Sequence, residues 1–239
     1  VSFLRAPVCH DLNQLDADIA VMGAPTDEGS PFMPGSRFGS RSIREHSLRF
    51  GNNGYFDHDS NKVFLKYELD NNRIVDVGDA NVIPTDVEGT FENITNLTRM
   101  VLDKGAMPVV LGGDHAITFP VVRAYNEPLH VVHFDAHIDY RPFVHGFEYT
   151  NSHAFRHIHQ MDHVESLTQV GIRSIRNNKA WIDDSINDGN RVIGMKEFKE
   201  MGPDGMTELV PKDAAIYVSI DIDVLDLPLV PGCVSAEPN

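Results

Sequence analysis

Cysteine is nearly missing from this sequence. The two residues present in 239, Cys9 and Cys233, lie far apart, each without a second cysteine nearby. That excludes a disulfide framework and a thiolate metal site, and it fits a reducing compartment, so the expected location is the cytoplasm. Positive charge is scarce as well. Lys plus Arg number 20 against 35 Asp plus Glu, a formal charge of −15, which disfavours a nucleic-acid surface and favours attraction of cations. No apolar run approaches the ~20 residues needed to span a bilayer, and no signal-peptide pattern opens the chain. Neither nucleic acid nor membrane is therefore expected as a partner. Internal repeats, low-complexity tracts and long linkers are absent too. With 41% hydrophobic and 23% charged positions, the composition is that of a single globular domain over residues 1–239.

What is present is an alternation of short apolar runs and amphipathic stretches. DIAVMGA (18–24), RIVDVG (73–78), MPVVLGG (107–113), LHVVHFD (129–135), LTQVGI (167–172), NRVIG (190–194) and AAIYVSID (214–221) read as strands. SRSIREHSLRF (40–50) reads as a helix with Ser40 as its N-cap. TDVE (85–88) has the spacing of a capping box and opens a helix that closes at Lys104-Gly105. Asn93 and Asn96 match glycosylation acceptors but fall inside that helical pattern, so they are read as chance. Strands alternating with helices predict an α/β fold with a mostly parallel sheet covered on both faces. Sites in such folds lie beyond the carboxyl ends of the strands.

Three of those ends are unusual. VVLGGDHAITF ends a strand in two glycines followed by Asp114 and His115. HFDAHID places Asp135, His137 and Asp139 at alternate positions, so an extended backbone would point all three one way and Ala136 and Ile138 the other. IYVSIDIDVLD does the same with Asp221 and Asp223. Five aspartates gathered at strand ends repel one another and lose hydration, so they require pairing or a metal. Arg141 and Lys212 are the nearest cations in sequence, too few to neutralise the cluster. Two divalent ions would do so. Carboxylates with imidazoles suit Mn²⁺, and less specifically Co²⁺, Ni²⁺, Fe²⁺ or Zn²⁺. Each motif alone is weak; their joint occurrence after separate strands is not. His10, His46, His58, His157, His159 and His163 read as surface or helix residues, and His133 as a deeper neighbour of Asp135.

GGDHA, DAHID and SIDIDVLD resemble the three signature segments of the ureohydrolases: arginases, agmatinases and their relatives. PGSRFGSRSIRE (34–45) is similar to the family's N-terminal loop and helix, and QVGIRS (169–174) to its next strand. The resemblance covers nearly the whole chain and is nearer to agmatinase than to arginase. It implies a three-layer α-β-α domain with about eight mostly parallel strands. It implies one metal on His115, Asp135, Asp139 and Asp221 and another on Asp135, His137, Asp221 and Asp223. Asp135 and Asp221 would bridge. It also implies a proton-shuttling histidine in the loop after the second motif, where His153 stands, with His157 as the alternative.

The activity so implied is hydrolysis of a small guanidino compound, agmatine-like, to urea and an amine. A water shared by two cations becomes a hydroxide near neutral pH. Asp139 would orient it and His153 would relay the proton. Assembly as a homotrimer or hexamer is implied by analogy, with the loop at 30–39 as a candidate contact. Two departures stand out. After Asp226 the run is LPLVPGCVSAEPN, with Leu227 at the family's usual proline and Cys233 to Ala236 in place of small polar residues, which implies altered specificity. The family's guanidinium-binding glutamate and last strand fall beyond Asn239, so a partial chain is expected. The alternatives are a single-zinc deacetylase on the related fold, or a non-catalytic partner subunit. Metal content separates the first from the leading reading; turnover separates the second.

Overall fold

The computed structural model describes residues 1–51 and 53–239. They form two compact units, Val1–Glu28 with Pro34–Ala124, and Gly29–Met33 with Tyr125–Asn239. The first contains β1 (Ile19–Ala24), α1 (Gly39–Ser47), β2 (Tyr55–Asp57), β3 (Lys62–Phe64), α2 (Lys66–Asp70), β4 (Ile74–Asp79), α3 (Val87–Asp103), β5 (Met107–Gly112) and α4 (Thr118–Val122). The second contains β6 (Leu129–Phe134), α5 (Ala154–His159), β7 (Val164–Ile172), α6 (Lys179–Asn187), β8 (Arg191–Gly194), α7 (Met195–Thr207) and β9 (Ile216–Ile220). Strand order is β4-β1-β5 in the first unit and β8-β7-β6-β9 in the second. Every pairing in these two sheets is parallel, and β2–β3 is an antiparallel hairpin.

The expected strands are present, β7 three residues longer at its start than its apolar run suggests. Among the described residues the parallel strands divide three and four. One edge of β5 and one of β9 therefore carry no partner strand. On β9, Ile216, Val218 and Ile220 are exposed. The β2–β3 hairpin went unread because its few residues, such as exposed Phe56, Val63 and Phe64, alternate too briefly to register as strands.

Two helix starts differ from expectation. The 3₁₀ turn Ser36–Phe38 runs directly into α1, so the cap position falls on Phe38 and Ser40 lies inside the helix. Ser40 is buried there, its hydroxyl without a hydrogen-bond partner. At α3 the cap is Asp86, one residue after Thr85, and its carboxylate accepts the Gly89 N–H at 2.9 Å. Thr85 has φ 65°, outside the extended region a cap needs.

The stripe that α1 buries is polar: Ser40, Arg44 and Ser47. Gly39 opens the helix where a Cβ would come within 2.6 Å of the Gly112 carbonyl, so a side chain there would push α1 off the end of β5. Arg44 grips β4. Its Nε and Nη2 donate to the two oxygens of buried Asp76 at 2.8 and 3.0 Å, and its Nη1 reaches Asp79 at 2.5 Å. The Phe3 N–H also donates to Asp76, at 2.8 Å. Arg44→Met would leave that buried carboxylate without its cation, and the expected loss is about 3–5 kcal/mol of stability in chemical denaturation. A loss below about 1 kcal/mol, the scale of a surface pair, would show that Asp76 gains enough hydration without Arg44.

Candidate metal centre

The second unit's sheet brings two aspartates together by register. Phe134 of β6 pairs with Ile220 of β9, so the next residues, Asp135 and Asp221, leave the sheet side by side. The ladder continues one step past both strands. The Asp135 N–H donates to the Val170 carbonyl at 3.0 Å, and the Asp221 N–H to the Phe134 carbonyl at 2.9 Å. Beyond that point neither motif stays extended. Asp221 caps the 3₁₀ turn Ile222–Val224 through the Asp223 N–H at 3.0 Å. Asp135 accepts the His137 N–H at 2.6 Å. The side chains converge because the backbone turns back under each first aspartate, and not through the strand alternation their spacing suggests.

The result is a buried cluster. His137 Nδ1 lies 3.0 Å from Asp223 Oδ2 and 3.4 Å from Asp135 Oδ1. Ligand atoms of Asp135, His137 and Asp223 all lie within 4.8 Å of one another, a grouping able to hold a metal ion. A second such grouping joins Asp221, Asp223 and Cys233. Cys233 thus stands beside two carboxylates, a neighbourhood that cysteine count alone does not suggest. Gly171 makes room for the cluster: a Cβ there would stand 3.0 Å from the Asp135 carbonyl, and its φ of +95° suits glycine.

Charge is out of balance here. Burial pushes the Asp223 carboxyl up to about 6, with Asp135 and Asp221 adding repulsion and His137 opposing it. Burial on its own would lower the His137 imidazole, but hydrogen bonds to Asp135 and Asp223 outweigh it and raise it to about 11. The imidazolium thus stands where a cation belongs.

His133 is fully buried beside Asp135, stacked on Phe155 with ring centroids 3.6 Å apart. Its Nε2 is 2.8 Å from Asp135 Oδ2. Gln169, its register partner on β7, donates its amide to His133 Nδ1 at 3.0 Å and to the Ile138 carbonyl at 2.6 Å. The Ser185 hydroxyl donates to the Gln169 carbonyl oxygen at 2.7 Å and accepts from Asn190 at 3.1 Å. These partners fix the imidazole with its proton on Nε2, facing the carboxylate.

The other candidates are placed as follows. His115 belongs to the first unit, buried at the start of a 3₁₀ turn that Asp114 caps through the Ala116 N–H at 2.8 Å. Asp139 is buried with φ 42°, a strained backbone for a residue with a side chain. His153 is fully buried. Its Nδ1 lies 2.7 Å from the Thr150 hydroxyl and its Nε2 has no hydrogen-bond partner. Burial and then the charge of Arg141 lower its imidazole to about 4, so it is neutral at pH 7. His157, the alternative shuttle, has its Nε2 2.6 Å from the Glu148 carbonyl and stacks on Tyr149.

Four contacts escape sequence reading. The Ser235 hydroxyl donates to Asp223 Oδ2 at 2.8 Å. Arg176 lies 3.2 Å from His137 Nε2 and donates to Glu237 at 2.8 Å. Glu237 Oε1 is 3.5 Å from the same His137 nitrogen. Their sequence separations reach 237 − 137 = 100 residues, and no local pattern links them.

Comparison with known proteins places this geometry. A family model described as the arginase family matches residues 17–239. Proclavaminate amidinohydrolase from Streptomyces clavuligerus is 33% identical over 246 residues, covering 100% of this chain and 76% of that protein. An agmatinase from Pyrococcus horikoshii is 30% identical, covering 94% of this chain and 74% of that protein. The solved structure of the S. clavuligerus amidinohydrolase has a TM-score of 0.86 at 31% identity, covering 100% of this chain and 79% of that one. The relatives' names make the chain a hydrolase acting on carbon–nitrogen bonds in linear amidines. The chain belongs to the arginase family. Proteins of this family depend on a pair of metal ions.

Because a metal ligates only the neutral imidazole, His137 must lose its proton to take part. Mn²⁺ titrated calorimetrically at pH 7 in buffers of different ionisation enthalpy should release about one proton per His137-containing site, and affinity should rise with pH. Binding enthalpy identical in every buffer would exclude His137 as a ligand.

Proposed function

We propose that the chain, with residues 1–239 acting as one domain, hydrolyses a small guanidino compound of about agmatine's size to urea and an amine. What carries the reading is the meeting of Asp135, His137 and Asp223 in one buried cluster whose negative charge calls for cations. The proposed ligands are His115, Asp135, His137, Asp139, Asp221 and Asp223, with Asp135 and Asp221 shared between two ions. His115 enters on its motif. The oxygen and nitrogen donors suit Mn²⁺, with Ni²⁺, Co²⁺ and Zn²⁺ as the other fits. Such a pair supplies, when bound, an acidified water near neutral pH and positive charge against the developing oxyanion.

The chain's own groups do the rest. A guanidinium carbon is a poor electrophile, so the attacking water must be held in line and the leaving nitrogen must receive a proton. Asp139 accepts a hydrogen bond from the water and orients it. His153 is neutral and its buried Nε2 is without a protein partner, which fits a group that passes a proton to the leaving amine. The bond from the guanidino carbon to that nitrogen breaks, and the amine departs with the proton. The names of the similar amidinohydrolase and agmatinase support this substrate class. A cytoplasmic homo-oligomer, trimer or hexamer, completes the proposal. The charge of −15 and the sparse cysteine support the compartment, and among the described residues no helix is long and apolar enough to cross a membrane.

Elemental analysis tests the ligand set. Asp135→Ala or Asp221→Ala should lose both ions, while His137→Ala should loosen mainly one; full occupancy in Asp221→Ala would refute its bridging role. For the relay, His153→Ala should keep its metal and lower kcat by roughly 10²–10⁴. A change in KM alone would make His153 a substrate contact. An unchanged kcat with a crippled His157→Ala would move the role to His157.

A further inference from the structure

Cys233 brings a soft donor to the acidic cluster. Its Sγ and carboxylate oxygens of Asp221 and Asp223 form a group whose ligand atoms all lie within 4.8 Å of one another. That is the reach of donors around one ion, since a thiolate stands about 2.3 Å and a carboxylate oxygen about 2.1 Å from Zn²⁺. Independent of the cysteine, the chain belongs to a family that depends on a pair of metal ions. Asp221 and Asp223 are ligands in the reading above, so a cation is expected at these two carboxylates whatever stands at position 233. The structure puts a thiol at its third corner. A count of two cysteines excludes an all-thiolate cage but not one thiolate among carboxylates.

The loop that carries the thiol is held on several sides. Past Asp226 the backbone advances by tight turns, with N–H groups donated from Leu229 to Asp226, from Val230 to Leu227 and from Cys233 to Val230 at 2.8, 3.1 and 2.9 Å. Val230 is buried and pins the middle of the loop. Arg173 fastens both ends, donating to the carbonyls of Asp223 and Leu225 on one side and of Glu237 on the other. Cys233 itself is partly exposed, unlike a cysteine that serves as a small apolar filler. Its Sγ lies 3.5 Å from the Ser235 hydroxyl, which donates onward to Asp223 Oδ2 at 2.8 Å. With that hydroxyl proton committed to Asp223, the thiol donates to the Ser235 oxygen, and sulfur and carboxylate are linked before any ion arrives.

We propose that Cys233 is a metal ligand: as a thiolate it joins Asp221 and Asp223 on one ion and makes that position select a thiophilic cation, Zn²⁺ or Co²⁺, over Mn²⁺. This rests on the metal-dependent reading above and names the chemistry of one of its two positions. On binding, the S–H bond breaks, the proton passes to solvent and the sulfur–metal bond forms. Carboxylate donors suit Mn²⁺, whereas a thiolate favours Zn²⁺ and its softer neighbours, so the two positions differ in the ion they prefer.

The test loads the metal-free full chain with Co²⁺ under a phosphine reductant. Visible d–d bands report the bound ion. A near-ultraviolet band reports thiolate-to-cobalt charge transfer, which carboxylate and imidazole ligands do not give. That band should be present in the wild type and in Cys9→Ser and absent in Cys233→Ser and Cys233→Ala. Both Cys233 variants should keep the d–d bands and bind Zn²⁺ at least about tenfold more weakly, a loss that even a group supporting a ligand causes. Their affinity for Mn²⁺ should change less. Cobalt bound without the charge-transfer band in the wild type, a band that survives Cys233→Ser, or equal losses for Zn²⁺ and Mn²⁺ would overturn the proposal and leave the metal-dependent reading standing. If neither Co²⁺ nor Zn²⁺ binds by calorimetry, that reading fails and the proposal with it. Should both variants misfold by circular dichroism, alkylation of the wild type decides. Zn²⁺ should protect Cys233 from iodoacetamide and Mg²⁺ should not, read by peptide mass spectrometry; labelling unchanged by Zn²⁺, or equal protection by Mg²⁺, overturns the assignment.

Discussion

Repulsion among buried carboxylates is the constraint on which the rest of this molecule depends. Asp135, Asp221 and Asp223 are forced together by the register of β6 on β9 and by two tight turns that follow. Water cannot screen them, since Asp135 and Asp223 are almost fully buried. Without a compensating cation the cluster can persist only by holding protons, and that is what the raised Asp223 and His137 describe. The sheet meets the cost with backbone geometry. Asp135 and Asp221 each accept an N–H from their own turn, Asp223 accepts the Ala136 N–H, and the ladder is extended one hydrogen bond beyond the strand to hold the first two.

Around this cluster the chain closes a collar from the opposite direction. The segment 232–239 bends back so that Ser235 reaches Asp223 and Glu237 reaches Ser174, Arg176 and His137. Arg173 ties the same segment to the carbonyls of Asp223 and Leu225. The basic residues after β7 therefore answer part of the negative charge from the rim, while Asp135 is answered from the interior by His133. A carboxylate held from two sides has little rotational freedom, which is the preorganisation that charge-stabilising sites require.

Much of this was legible in the sequence, because strands that end in aspartate declare both their direction and their cost. The apolar runs located the seven parallel strands of the described residues, and the two Asp-x-Asp or Asp-x-His spacings located the cluster. The reason for the convergence was misread: the spacing of Asp135 and His137 suggests a shared strand face, whereas capping-type turns produce it. Ser40 and Thr85 failed as caps because a 3₁₀ turn and a left-handed residue displaced the helix starts, and such backbone choices leave little trace in residue type. Ser235, Arg176 and Glu237 were invisible for another reason. Their partners are distant in sequence, so only the folded chain pairs them.

The buried chain from Asp135 through His133, Gln169 and Ser185 to Asn190 carries a substitution's effect well beyond its own contacts. Asn190 donates, Ser185, Gln169 and His133 each receive and give in turn, and Asp135 accepts, so the direction of each bond sets the next. Ser185 sits on α6 and touches none of the clustered carboxylates. Replacing it with alanine still removes one of the two contacts, the other being the Ile138 carbonyl, that face the Gln169 amide toward His133 and so the His133 proton toward Asp135. A change at the helix is therefore transmitted bond by bond toward the carboxylate.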